Sequence, residues 1–291
     1  MRNKILSILL ISFILLSLNA CKKNDTSPKD FRVTNSIITL FSPINNTYEW
    51  NITYENNHLK TVQINNTARN EYSYSGDSII VSYYWFENDK WGLLSAEIQK
   101  FNNNRIVFNY TIDSLENKLV ETYYTYAGEN IKDILGYKTE GDSTYLYDSY
   151  IYTYENNKLI QGSFSYKAFP EQDIIENIRH ELKYSDGKLY EEFIYRDFNG
   201  YPIQLSNKKI YKYDNMRVVL VENYEYENNE FIHSTNESRE YDNHGNLIKK
   251  IESKLSGELV SEQTFTYEEG KYTYQYLYNI IIGSEGKYPI P

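Results

Sequence analysis

Nine times along the chain an aromatic residue is followed by a short turn-forming stretch and then an apolar residue, and that spacing leaves few folds open. The aromatic anchors are Tyr54, Tyr74, Phe101, Tyr126, Tyr154, Tyr184, Tyr213, Tyr241 and Tyr267, set 20 to 30 residues apart. Five residues beyond them stand Leu59, Ile79, Ile106, Ile131, Leu159, Leu189, Val218 and Tyr272, with Leu247 one place later in its unit. Two residues before the anchor stand Ile52, Tyr72, Tyr124, Tyr152, Leu182, Tyr211 and Phe265. Apolar residues at every second position describe an extended strand with one buried face, and polar residues such as Arg179, Glu181 and Lys183 fill the alternate places. The tetrads between anchor and aliphatic residue, among them Glu155-Asn156-Asn157-Lys158 and Ser185-Asp186-Gly187-Lys188, read as four-residue hairpin loops.

A unit of about 28 residues holds two strands and two connections. The expected fold is therefore all-β: an antiparallel meander of about eighteen strands built from hairpin repeats, forming a curled sheet or β-spiral because so wide a sheet does not stay flat, with splitting into packed layers and closure as the other outcomes. No Pro/Gly/Ser-rich linker divides the chain, so residues 31–291 are expected to form one repeat domain.

Ahead of that domain lie Arg2 and Lys4, an apolar run from Ile5 to Leu18, and Leu18-Asn19-Ala20-Cys21. The run is too short for a permanent spanning helix and reads as a secretion signal over residues 1–20, cut between Ala20 and Cys21. The segment resembles the lipobox of bacterial lipoproteins, which implies acylation of Cys21 and a membrane partner held through that anchor. Cys21 is the chain's sole cysteine, so it has no disulfide partner. Residues 21–30 read as a flexible tether.

Removing the leader takes away two cations and no acids, moving the formal charge from −10 to −12. An acidic chain lacks the basic footprint that nucleic acid requires. All 32 tyrosines lie after the leader, and tyrosine suits a pleated surface with one wet side.

Tyr241-Asp242-Asn243-His244-Gly245-Asn246-Leu247 resembles the core of the YD repeat of Rhs-type bacterial surface and toxin-shell proteins, with weaker copies at Tyr213-Asp214 and Tyr184 to Leu189. The resemblance covers about Asn51 to Tyr278 and implies strands spiralling into a β-shell; the period here is longer. Repeated lipoproteins of Bacteroidetes are similar, which implies an outer-membrane location without fixing whether the domain faces outward or inward. Asp77-Ser78-Ile79, Asp113-Ser114-Leu115 and Asp142-Ser143-Thr144 resemble the O-glycosylation motif of that group, which makes Ser78, Ser114 and Ser143 candidate acceptors. A membrane-spanning barrel is disfavoured, because the faces opposite the tyrosines carry Glu, Lys, Arg and Asn.

Chemistry is sparse. His58, His180, His233 and His244 are scattered without metal-ligand spacing, and no metal or cofactor is expected. Adjacent carboxylates such as Glu191-Glu192 point to opposite faces of a strand and cannot flank one glycosidic bond. The expected function is a non-enzymatic binding or interaction module for a glycan, peptide or protein, with an envelope structural or assembly role as the alternative and a carbohydrate-active enzyme third. The candidate ligand residues are Tyr83, Tyr84, Trp85 and Trp91, aromatic residues outside the anchor register around a turn at Asn88-Asp89.

Overall fold

The computed structural model describes residues 31–41, 46–56, 58–103, 105–167, 176–198 and 202–269. The signal segment, the tether, Ala20, Cys21 and Tyr272 lie outside the described residues. Eighteen strands follow one another: β1 (Phe31–Leu40), β2 (Asn46–Glu55), β3 (His58–Ile64), β4 (Ala68–Ser75), β5 (Ser78–Glu87), β6 (Lys90–Asn102), β7 (Arg105–Asp113), β8 (Lys118–Ala127) and β9 (Asn130–Glu140). The second half comprises β10 (Ser143–Glu155), β11 (Lys158–Tyr166), β12 (Glu176–Ser185), β13 (Lys188–Phe198), β14 (Gln204–Asp214), β15 (Arg217–Glu227), β16 (Glu230–Tyr241), β17 (Leu247–Lys254) and β18 (Leu259–Glu269). Each pairs antiparallel with its neighbours in sequence, as the alternation implied. The open sheet or spiral is corrected: β1 pairs with both β2 and β18, so the meander closes into a barrel. Closure removes the two unpaired edges that an open array would expose.

The anchor and the aliphatic residue stand directly opposite one another across a tight turn. Tyr154 faces Leu159, Tyr184 faces Leu189 and Tyr213 faces Val218, with the next pair, such as Glu155 and Lys158, flanking the turn. The loops are thus two residues long rather than four, with left-handed backbone at Asn156 (φ 50°) and Asn157 (φ 61°), and at Asp186 and Gly187. Asn, Asp and Gly supply this conformation at least cost, which is why they fill the tetrads. In most of these hairpins the register shifts just before the anchor, as between Thr153 and Tyr154 or Lys212 and Tyr213.

The anchor hydroxyls have a second task. Pairing between one hairpin and the next stops two residues short of the aliphatic residue, at Gln161↔Glu181 for β11 and β12. The carbonyl of Leu159 lies beyond that ladder, and the Tyr184 hydroxyl donates to it at 2.9 Å. The same bond runs from Tyr74 to Leu59, Tyr126 to Ile106, Tyr213 to Leu189, Tyr241 to Val218 and Tyr267 to Leu247. Satisfying these carbonyls explains why the anchor is tyrosine and not merely aromatic.

The closing seam repeats the pattern with its two halves at opposite ends of the chain. Val33 on β1 faces Tyr267 on β18, Arg32 faces Glu268, and the Tyr54 hydroxyl donates to the Val33 carbonyl at 2.9 Å. Val33 therefore takes the place that the sequence spacing gave to Tyr272. Val33 is fully buried, and the Arg32–Glu268 ion pair beside it spans 2.5 Å.

The anchors and their partners face inward. So do Ile52, Val62, Tyr124, Phe164, Tyr211 and Phe265, all buried in two apolar clusters along the wall. An eighteen-stranded barrel of open circular section would leave a water-filled lumen, and inward residues would be wet. Burial at mid-wall here shows a packed interior. Toward the rim away from the anchors, inward residues such as Tyr48 and Trp85 become exposed.

Candidate functional site

The strand pleat divides the polar chemistry between two surfaces. Inward, above the anchor ring, lie four carboxylates, Glu97 and Glu192 buried and Glu237 and Asp148 half-buried. Glu97 on β6 accepts from the Tyr83 hydroxyl (2.9 Å), Gln99 Nε2 (3.1 Å) and Asn109 Nδ2 (2.6 Å). Burial raises its pKa, and these three neutral donors offset the rise only in part. Glu192 on β13 lies 2.5 Å from His180 Nδ1 and accepts from Tyr211 at 2.5 Å. Burial acts upward on it too, but the His180 bond and the Lys209 charge outweigh it and bring the carboxyl down to about 2. Glu237 on β16 meets Arg239 Nε at 2.6 Å and Lys250 Nζ at 4.0 Å. Against the same burial, those two charges lower its pKa.

Asp148 on β10 is pushed up to about 6 by burial, eased by the Gly136 N–H. Gly136 is dictated by this carboxylate, since a Cβ there would sit 1.9 Å from Asp148 Oδ1. Among the described residues no group of three His, Cys, Asp or Glu side chains is placed to hold a metal ion. Each of these acids is bonded to neighbours within the wall.

Outward, β12 to β16 carry a stripe of half-exposed rings with cations over them. Arg179 stands over Tyr195 at 4.2 Å, Lys183 over Phe193 at 4.2 Å, and Lys208 over both Tyr224 (4.7 Å) and Phe231 (4.4 Å). Tyr226 packs on Phe231 with centroids 5.0 Å apart, and His233 stacks on Tyr224 at 4.6 Å. The stripe was not singled out from sequence; its signal was the run Tyr224-Glu-Tyr226-Glu-Asn-Asn-Glu-Phe231, whose alternate aromatics share a face.

The same alternation separates the four candidate ligand residues. Tyr83 bonds to inward Glu97, and Trp85 shares its face. Tyr84 and Trp91 point outward with Phe86, around the guanidinium of Arg69. Of the candidate glycosylation sites, Ser114 and Ser143 are exposed. Ser78 is 8% exposed, donates to Asp77 and accepts from Lys100 Nζ.

No family model and no curated protein matches the chain. Among solved structures, a porin-like protein from Bacteroides vulgatus aligns over 82% of this chain and 99% of its own at 11% identity, with a TM-score of 0.47. A porin-like protein from Bacteroides uniformis aligns over 81% of this chain and 96% of its own at 9% identity and TM-score 0.40. The TcdB2-TccC3 structure aligns over 81% of this chain and 16% of its own at 11% identity and TM-score 0.32.

Proposed function

We propose that the protein is an outer-membrane lipoprotein, anchored through Cys21, that acts without catalysis as a binding module and meets its partner on the outer aromatic face. The observation that carries this reading is the division of chemistry between the two faces. Glu97 and Glu192 are buried and bonded within the wall, whereas the rings of Phe193, Tyr195, Tyr224 and Phe231 stand half-exposed outside. A catalytic centre needs convergent polar groups open to substrate, while an interface needs surface aromatic anchors. Cross-strand ion pairs on the outer wall, Lys183–Glu191 at 3.1 Å and Lys249–Glu262 at 3.0 Å, suit water and oppose contact with lipid tails.

The test uses the full chain expressed with its own leader. Wild-type protein is expected in the membrane fraction after carbonate extraction, and Cys21→Ala in the soluble fraction; retention of Cys21→Ala on the membrane would overturn the anchor. Chemical crosslinking on intact cells is expected to join envelope components to wild type and to lose them in the double variant Trp91→Ala, Phe231→Ala. Crosslinks indifferent to both substitutions would overturn the aromatic face.

A further inference from the structure

Two hairpins far apart on the barrel carry the same outward cluster. On β4 to β6, Arg69 lies between the rings of Tyr84 and Trp91, 5.2 and 4.6 Å from their centroids, and Phe86 packs on Trp91 at 5.2 Å. On β14 to β16, Lys208 takes the place of Arg69, Tyr224 that of Tyr84, Tyr226 that of Phe86 and Phe231 that of Trp91. The backbones correspond as well. The turns Asn88-Asp89 (φ 53° and 59°) and Asn228-Asn229 (φ 50° and 66°) are both left-handed. Each hairpin shifts register just before its first tyrosine, between Tyr83 and Tyr84 and between Asn223 and Tyr224. β4 and β14 are ten strands apart in a wall of eighteen, so the two clusters face nearly opposite directions.

We infer that these clusters are two copies of one binding site and that their ligand is an acidic polysaccharide. The inference rests on the outer aromatic face being the binding surface and names its occupant. Flat, half-exposed rings on the outer wall fit the faces of sugar rings. The charge supplies the rest. Lys208 is ringed by Phe193, Tyr224 and Phe231, and among the described residues no carboxylate stands within ion-pair distance of it, in a chain whose net charge is −10. An unneutralised ammonium among aromatic faces complements a ring that carries its own carboxylate, as a uronic acid does. Arg69, by contrast, is held by Glu71 at 2.8 Å, so the first copy offers stacking without a free charge. Two copies on opposite sides engage repeated units of a polymer and gain avidity that neither has alone.

The test is calorimetric titration of the full chain with polygalacturonate and with dextran of matched length, at low and high salt. Wild type is expected to bind polygalacturonate at least about tenfold more tightly than dextran at low salt, with the difference shrinking as salt screens the charge. Phe231→Ala is expected to weaken binding about tenfold, and Phe231→Ala with Trp91→Ala to abolish it. Lys208→Gln lies outside the apolar core and so stays informative if the aromatic variants fold poorly; it is expected to remove most of the salt dependence while stacking remains. Unchanged affinity in the double variant, equal affinity for dextran, or an unaltered salt dependence in Lys208→Gln would overturn the inference. If neither polymer binds but envelope crosslinks still vanish in the double variant, the polysaccharide falls and the binding face stands; if the crosslinks also persist, both fall.

Discussion

Glu97 and Glu237 occupy the same place in two hairpins ten strands apart, and their neighbours drive them in opposite directions. Each faces inward opposite a buried valine, Val81 or Val221. Two residues later stands Gln99 in one hairpin and Arg239 in the other, and across from these stand Asn109 and Lys250. The neutral pair leaves burial dominant, so Glu97 is raised; the cationic pair overcomes burial, so Glu237 is lowered. The backbone and the carboxyl are shared, and two adjoining positions decide the direction of the shift. The direction in which an inward acid is shifted in this fold is therefore set by local pairing.

Removing the charge from each acid breaks the comparison most directly. Glu237→Gln leaves the Arg239 guanidinium beside a neutral amide, and we expect a loss of about 3 kcal/mol in urea unfolding at pH 7, the lower end for a broken buried pair because Arg239 keeps some solvent contact. Glu97→Gln replaces a carboxyl whose ionised form burial disfavours, and the Tyr83 hydroxyl can turn to accept from the new amide, so stability is expected to stay within about 1 kcal/mol of wild type. Equal losses would mean that the two environments do not differ as described.

The pH profile sharpens the contrast and extends it to Asp148 and Glu192. Asp148 is raised from 3.8 to about 6 in the folded protein, so the folded state binds its proton more tightly than the unfolded chain. Its contribution is favourable at low pH and declines as pH rises from about 4 through about 6. Glu192 is lowered from 4.5 to about 2, so it contributes stability above about pH 4.5 that is lost as pH falls toward 2. The two limbs leave these groups' combined contribution highest between about pH 4 and 5. Asp148→Asn is expected to flatten the decline between pH 4 and 6.5 by about 1–2 kcal/mol, less than the about 3 kcal/mol of the full shift because the side chain is partly exposed. A decline identical to wild type would show that Asp148 titrates normally.

The strands were legible in the sequence because anchor and aliphatic residue are a local pair: five residues of spacing place Tyr213 opposite Val218 whatever the rest of the barrel does. Closure was not legible. The ninth anchor, Tyr267, finds its partner in Val33, more than two hundred residues earlier, on a strand that bears no anchor of its own. Local spacing pointed instead to Tyr272. The aromatic candidates are divided between two faces for a different reason, since Tyr83, Tyr84 and Trp85 are consecutive and a pleated strand sends neighbours to opposite faces. The Lys208 cluster was hidden because Phe193, Lys208, Tyr224 and Phe231 come from four strands, and register alone brings them together.

The smallest difference between the two hairpins lies at the anchor itself. Tyr241 donates to the Val218 carbonyl at 2.8 Å, whereas Phe101, in the corresponding place, has no hydroxyl to give. The ladders account for it. Between β15 and β16 pairing ends at Leu220↔Ser238, leaving the Val218 carbonyl beyond it. Between β5 and β6 pairing continues to Ser78↔Lys100, and the Phe101 N–H donates to the Asp77 carbonyl at 2.8 Å, so Ile79 lies inside the ladder. Tyr241→Phe should therefore cost about 1 kcal/mol, read as a fall of about 2–4 °C in the melting temperature. Phe101→Tyr should gain nothing measurable, because no stranded carbonyl awaits it. A gain there equal to the loss at Tyr241 would mean that the hydroxyl stabilises by some route other than completing the interrupted ladder.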